Sequence, residues 1–344
     1  MGWPGEISFL AMIAAPSECD RPDWQASIFG DPGKLSGRRY MHSINRLLVI
    51  LILLFPTTCP AISDEHNSTI PLSLNEGEYG GGRIYAPVRF GNVLGMMRLD
   101  TGATSSRITF ALWNKDFPVV GQTESIGSSG KSTHCDDVEA KNVLLKAVQG
   151  PSIGRAKYTL TRCASSDGDD LLGVDFFKGT RFQLDLARRE IVFPDPKASP
   201  SQQFQTFVML GGDRRLVGLK AQIGDAPVIG LFDSGAELSA VDLTFVKSHT
   251  EHFTPVKHRL KVSEAGGAKW APKLYRLKEI DIGEGRILKG LYILAYDFGV
   301  LREALGARTP IIFGYNFLSQ FQWELDFTPA DAPRWRAKLY DHRP

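Results

Sequence analysis

The sequence predicts a mainly β protein of two lobes, each built from one copy of the same unit. Three observations carry this. Asp100-Thr101-Gly102-Ala103 returns 133 residues later as Asp233-Ser234-Gly235-Ala236. The surroundings return with it and without a gap: Phe90-Gly91-Asn92 stands against Ile223-Gly224-Asp225, Val88 against Ala221, Leu99 against Phe232 and Ser106 against Ser239. Downstream, Leu172-Gly173-Val174-Asp175-Phe176-Phe177 answers Phe313-Gly314-Tyr315-Asn316-Phe317-Leu318, and nine residues past each glycine Phe182–Leu186 answers Trp323–Phe327. A repeat of this extent decides the architecture before any local reading does.

Each element of the unit has a physical reason. Apolar residues at alternate positions, Val88 and Phe90, mark a strand that ends at a Gly-Asn turn, or Gly-Asp in the second copy. A second strand then runs into the aspartate. Thr or Ser followed by Gly makes a tight turn whose backbone can approach a partner closely. Two such turns face to face bring two carboxylates together. Like charges about 3 Å apart cannot both ionise, so the pair holds one proton between them. That gives a general acid and a general base from one residue type, able to activate water against an amide carbonyl.

The chain resembles retropepsin-type aspartic proteases, with both halves fused in one polypeptide. The resemblance rests on the two Asp-Thr/Ser-Gly-Ala motifs and on two apolar residues before a glycine, Leu171-Leu172-Gly173 and Ile312-Phe313-Gly314. It covers roughly residues 80–195 and 208–340. It implies a two-lobed acid-protease-like barrel fold, each lobe a retropepsin-type unit, and an aspartic endopeptidase with Asp100 and Asp233 as its catalytic pair. Thr101 and Ser234 would cross-brace the turns, and Gly102 and Gly235 would permit them. A Gly-rich flap is implied at Gly127, Ser128, Ser129 and Gly130, with Gly266, Gly267 and Trp270 as its counterpart in the second lobe. The substrate implied is a peptide or protein in extended form, the nucleophile is water, and no metal or organic cofactor is called for. A chain holding both aspartates is expected to act as a monomer. The alternative is a non-catalytic peptide-binding or regulatory module on the same fold. Neither flap has a tyrosine at its tip, which keeps that alternative open.

Composition agrees with a globular protein: 43% hydrophobic and 23% charged residues over 344 positions. A net charge of +2 gives no reason to expect nucleic acid as a partner. No stretch reaches the ~20 apolar residues that span a bilayer. Residues 1–40 form an upstream extension without periodicity. From Met41, a basic residue, nine apolar residues (Leu47 to Phe55) and Ala61-Ile62-Ser63 read as a secretory signal over 41–63, with translation starting at Met41. Export to the periplasm or medium is expected, with an uncleaved signal anchor as the minor alternative. Lobe 1 then runs over 64–193, a Pro-rich linker over 194–207 and lobe 2 over 208–344.

Removal of 1–63 leaves two cysteines, Cys135 and Cys163, which form either a disulfide or two separate thiols. Gly127 to Ser132 imitates the end of a phosphate loop, but the pattern requires Gly where residue 125 is Ser. His134 to Asp137 has metal-ligand residue types without ligand spacing, and reads as a solvated strand of the flap. Asp169 and Asp170 read as solvated loop acids. Ala103 and Ala236 cannot donate a hydrogen bond to a carboxylate, so the pair should work in the weakly acidic range, about pH 4.5–6.5, rather than near pH 2.

Overall fold

Gly82–Phe90 alternates strictly, with Ile84, Ala86, Val88 and Phe90 buried on one face. It turns through Gly91, at φ 56°, into Val93–Asp100. The second copy behaves alike: Leu216–Ile223 turns through Gly224, at φ 57°, into Ala226–Phe232. A left-handed glycine at the first position of a two-residue turn matches the twist of the strands it joins. The computed structural model describes residues 13–14, 67–127, 132–164, 169–195, 203–212, 215–260, 262–263, 269–306 and 308–340. Glu65–Pro344, with Met1–Ala15, make one unit; the other, Pro16–Asp64, lies outside the described residues, as does the expected signal at 41–63.

Two eight-stranded sheets have the same order, strand for strand. In the first half the neighbours are Ser73–Glu76, Gly82–Phe90, Val93–Asp100, Leu171–Gly173, Arg107–Thr109, Ile153–Cys163, Ser132–Leu145 and Val119–Ile126. In the second they are Val208–Leu210, Leu216–Ile223, Ala226–Phe232, Ile311–Phe313, Ala240–Asp242, Ile287–Tyr296, Lys273–Asp281 and Phe253–Arg259. The repeat seen in the sequence is therefore a repeat of topology.

A third, six-stranded sheet joins the halves. Ser68–Pro71, Glu190–Phe193 and Arg181–Asp185 come from the first, and Phe321–Asp326, Arg334–Leu339 and Gln205–Thr206 from the second. At its centre the repeated segments pair with each other, Phe182 opposite Leu325 and Leu184 opposite Trp323. The core runs through this sheet: Phe182, Phe232, Phe313, Trp323 and Trp335 belong to one buried cluster. The linker is shorter than its composition predicts. Gln205–Thr206 pairs with the last strand, and Phe207 is buried with its ring 5.7 Å from that of Phe232. Among the described residues no helix is long and apolar enough to cross a membrane.

Candidate active site

The two Asp-containing turns are held by the same three devices. A parallel pairing aligns each incoming strand with the apolar-apolar-Gly strand, Asp100 opposite Gly173 and Phe232 opposite Phe313. A serine then ties the turn to that strand. Ser106 Oγ accepts the Gly173 N–H at 2.8 Å and donates to Asp175 Oδ1; Ser239 Oγ accepts the Gly314 N–H at 3.1 Å and donates to Asn316 Oδ1. The Ala103 carbonyl accepts from Val174 N–H, and the Ala236 carbonyl from Tyr315 N–H. The serine echo is thus a brace.

The third device crosses between the halves. Thr101 Oγ1 donates to the Phe232 carbonyl at 2.9 Å and accepts the Ser234 N–H at 3.0 Å. Ser234 Oγ donates to the Leu99 carbonyl and accepts the Thr101 N–H, both at 3.0 Å. Four reciprocal bonds in a buried site fix one turn against the other. The glycines set the spacing. A Cβ on Gly102 would stand 2.5 Å from Asp233 Cγ, and one on Gly235 would stand 2.3 Å from Asp100 Cγ. Each turn thus lies directly against the opposing carboxylate.

Asp100 is fully buried and Asp233 is 3% exposed. Burial pushes the Asp100 carboxyl up to about 6, against the pull of the Arg98 cation. Burial and the neighbouring Asp100 charge push Asp233 well above the usual carboxylate range. The environments of the two differ. Asp233 Oδ1 accepts the N–H groups of Gly235 and Ala236 at 2.8 and 3.2 Å, while neither Asp100 oxygen has a donor within hydrogen-bond geometry. A pair of this kind can hold a single proton and pass it to and from a bound water.

Of the flap residues, Gly127 ends the Val119–Ile126 strand and is partly buried; Ser128, Ser129 and Gly130 lie outside the described residues. Val119–Ile126 and Ser132–Leu145 form an antiparallel hairpin, and a disulfide joins Cys135 on it to Cys163 on the next strand. In the second half Val262–Ser263 pairs with Lys269–Trp270, and Gly266 and Gly267 lie outside the described residues.

Asp169 and Asp170 are not solvated loop acids. Asp169 Oδ2 accepts from Tyr85 Oη at 2.9 Å and lies 3.6 Å from Arg98, and Asp170 Oδ1 accepts the Thr109 N–H at 2.7 Å. They belong to a charged cluster with Arg83, Arg98, Arg107 and Glu237 that the motifs do not reveal. The signal was in the repeat itself: at the 133-residue offset, Leu231 stands against Arg98 and Ala240 against Arg107.

No protein-family model and no curated protein matches the chain. Among solved structures the chain is similar to conglutin gamma, a basic 7S globulin from lupine seeds, at 11% identity and TM-score 0.48, covering 80% of this chain and 96% of that one. It is similar to basic 7S globulin from soybean at 10% identity and TM-score 0.47, covering 80% and 95%. It is similar to the aspartic proteinase from Irpex lacteus at 13% identity and TM-score 0.44, covering 79% and 97%.

Proposed function

We propose that the chain is a retropepsin-like aspartic endopeptidase with two fused lobes, cleaving peptide bonds with water activated between Asp100 and Asp233. The observation that carries this reading is the approach of each turn to the opposing carboxylate, close enough that no Cβ fits at Gly102 or Gly235. A structural pair of turns has no need to bury two carboxyls against each other, because that arrangement costs stability. The anionic member takes a proton from water as the oxygen attacks the amide carbon, and the protonated member donates to the carbonyl oxygen. An extended peptide adds main-chain hydrogen bonds beneath the Val119–Leu145 hairpin, in the manner of strand addition. Residues 41–63 direct export, which suits the Cys135–Cys163 bridge.

Purified chain lacking residues 1–63, incubated with a mixed peptide library, is expected to cleave, and pepstatin is expected to stop it. Binding of peptides without any cleavage would favour the non-catalytic module. Specific activity should stay constant on dilution, since both aspartates lie on one chain. Activity falling with the square of concentration would mean that a second copy completes the site.

Burial also revises the expected pH range. With Asp100 near 6 and Asp233 higher, the singly protonated pair exists from about pH 6 upward. The acid limb of kcat/KM is therefore expected near pH 6, above the range inferred from Ala103 and Ala236 alone. A missing hydroxyl is legible in the sequence, whereas complete burial is not. An optimum below pH 4 would show that the pair is far better solvated than this.

A further inference from the structure

One register row separates the two otherwise matching sheets. In the first half it reads Tyr85, Arg98, Leu171, Arg107 and Thr161 across five neighbouring strands. In the second the same positions are Gly218, Leu231, Ile312, Ala240 and Leu294. Residues in one row project from one face of a sheet. Among the described residues Leu231, Ala240 and Ile312 join an apolar cluster of fourteen buried residues, whereas the corresponding cluster of the first half holds Ala103 and Leu171. At the positions of Leu231 and Ala240 the first half has two buried guanidiniums, Arg98 at 1% and Arg107 at 7% exposure.

A guanidinium stays protonated in proteins, and burying it without an anion costs several kcal/mol. Arg98 lies 3.6 Å from Asp169 and 3.9 Å from Glu237, and its Nη2 donates to the Gly235 carbonyl at 2.6 Å, inside the opposite turn. Its Nε and the Nη2 of Arg107 are buried without a partner. The other charges facing this place are largely engaged: Arg83 pairs with Glu237, Tyr85 donates to Asp169, and Asp170 accepts from Thr109. Asp100, two residues beyond Arg98 on the same face of its strand, is a fully buried carboxylate without a well-formed hydrogen bond to either oxygen. Asp233 sits in the opposite half, with the amides of Gly235 and Ala236 on one of its oxygens.

Building on the endopeptidase reading, we propose that Arg98 and Arg107 are positioning residues that give the two carboxylates unlike roles, holding Asp100 as the anion and leaving the shared proton on Asp233. Asp100 then takes one proton of the attacking water as the C–O bond forms, while Asp233 gives its proton to the carbonyl oxygen, producing a neutral gem-diol. In breakdown Asp100 returns its proton to the amide nitrogen as the C–N bond breaks, and a diol hydroxyl restores the proton of Asp233. Both carboxyls end as they began.

The test replaces each arginine by the residue that the second half carries at the same position, Arg98→Leu and Arg107→Ala, with Arg98→Lys as the charge-preserving control. Protein labelled with 13C at the aspartate carboxyls is titrated by NMR, the two signals being assigned with Asp100→Asn and Asp233→Asn. Asp100 is expected to lose its proton first in the native chain, and its midpoint to rise by about one unit in either variant. The acid limb of kcat/KM should rise with it, lowering the rate below the limb about tenfold. Arg98→Lys should hold the limb near its native position. If Arg98→Leu does not fold, Arg107→Ala alone decides. An Asp100 midpoint that does not move, or Asp233 ionising first, overturns the assignment. The titration needs no turnover, so a chain that cleaves nothing yet shows the shift refutes the endopeptidase reading and leaves the polarised pair standing.

Discussion

Asp100→Asn and Asp233→Asn are each expected to lower cleavage to under about a hundredth of the native rate, at the weak end of what general acid–base catalysis contributes, and to make the protein more stable. The two losses should not add, since each change removes one partner of a proton-sharing unit. The gain in stability follows from linkage. Asp100 has its folded pKa raised to about 6, from near 3.9 in an unfolded chain. A carboxyl raised in this way favours the folded state below the unfolded value, and that contribution is lost as the pH rises through the folded one. Above about pH 6 the native chain therefore carries a penalty of roughly 3 kcal/mol from this group. Asparagine has nothing to ionise. At pH 7.5 Asp100→Asn should melt about 5 °C above the native protein, and near pH 4 the two should nearly coincide. An Asn variant that keeps more than about a hundredth of the native rate takes that residue out of the catalytic pair. A melting difference that grows as the pH falls contradicts the raised pKa.

Gly102→Ala and Gly235→Ala are expected to be as damaging to activity and far worse for the fold. Neither glycine has a positive φ, so it is the close approach and not the backbone that requires it. A methyl group 2.5 Å from Asp233 Cγ must push the turns apart, and with them the four hydrogen bonds of Thr101 and Ser234. Overpacking of this kind costs about 3 kcal/mol or more. The atoms in the way are Cγ and both oxygens of Asp233, so Asp233→Ala should make room for Gly102→Ala. In a double-mutant cycle the pair is expected to be more stable than the sum of the single changes by at least about 1 kcal/mol. Strict additivity would place the two side chains apart.

The repeat was legible because turn chemistry and strand alternation are local. Gly91 and Gly224, the serines six residues past each aspartate, and the apolar residues before Gly173 and Gly314 all stand in the chain where the fold uses them. Phe182–Leu186 and Trp323–Phe327 were legible as copies but not as partners, since pairing across 139 to 145 positions leaves no local mark. The charged cluster was the least legible part. Asp170 reads as a solvated loop acid, and nothing in the motifs singles out Arg98. Arg98 meets Gly235 and Glu237, which arrive from the other half of the chain, and Asp170 is bonded to Thr109, 61 residues away.

The joining of the two halves at Arg181–Asp185 and Phe321–Asp326 also sets a timetable. During synthesis or passage through a membrane the chain is delivered from its N-terminal end. Its first half can pair all eight strands of its own sheet with one another, yet Asp100 then stands alone. The strand that fixes the second turn, Ile311–Phe313, and the one that seals the halves together emerge only in the last tenth of the chain. Until then the two carboxylates have nothing to hold them at working distance. The order of the strands thus keeps the two buried carboxylates apart until synthesis is nearly complete, and on the endopeptidase reading proposed above it would act as a safeguard while the unfolded chain is still exposed.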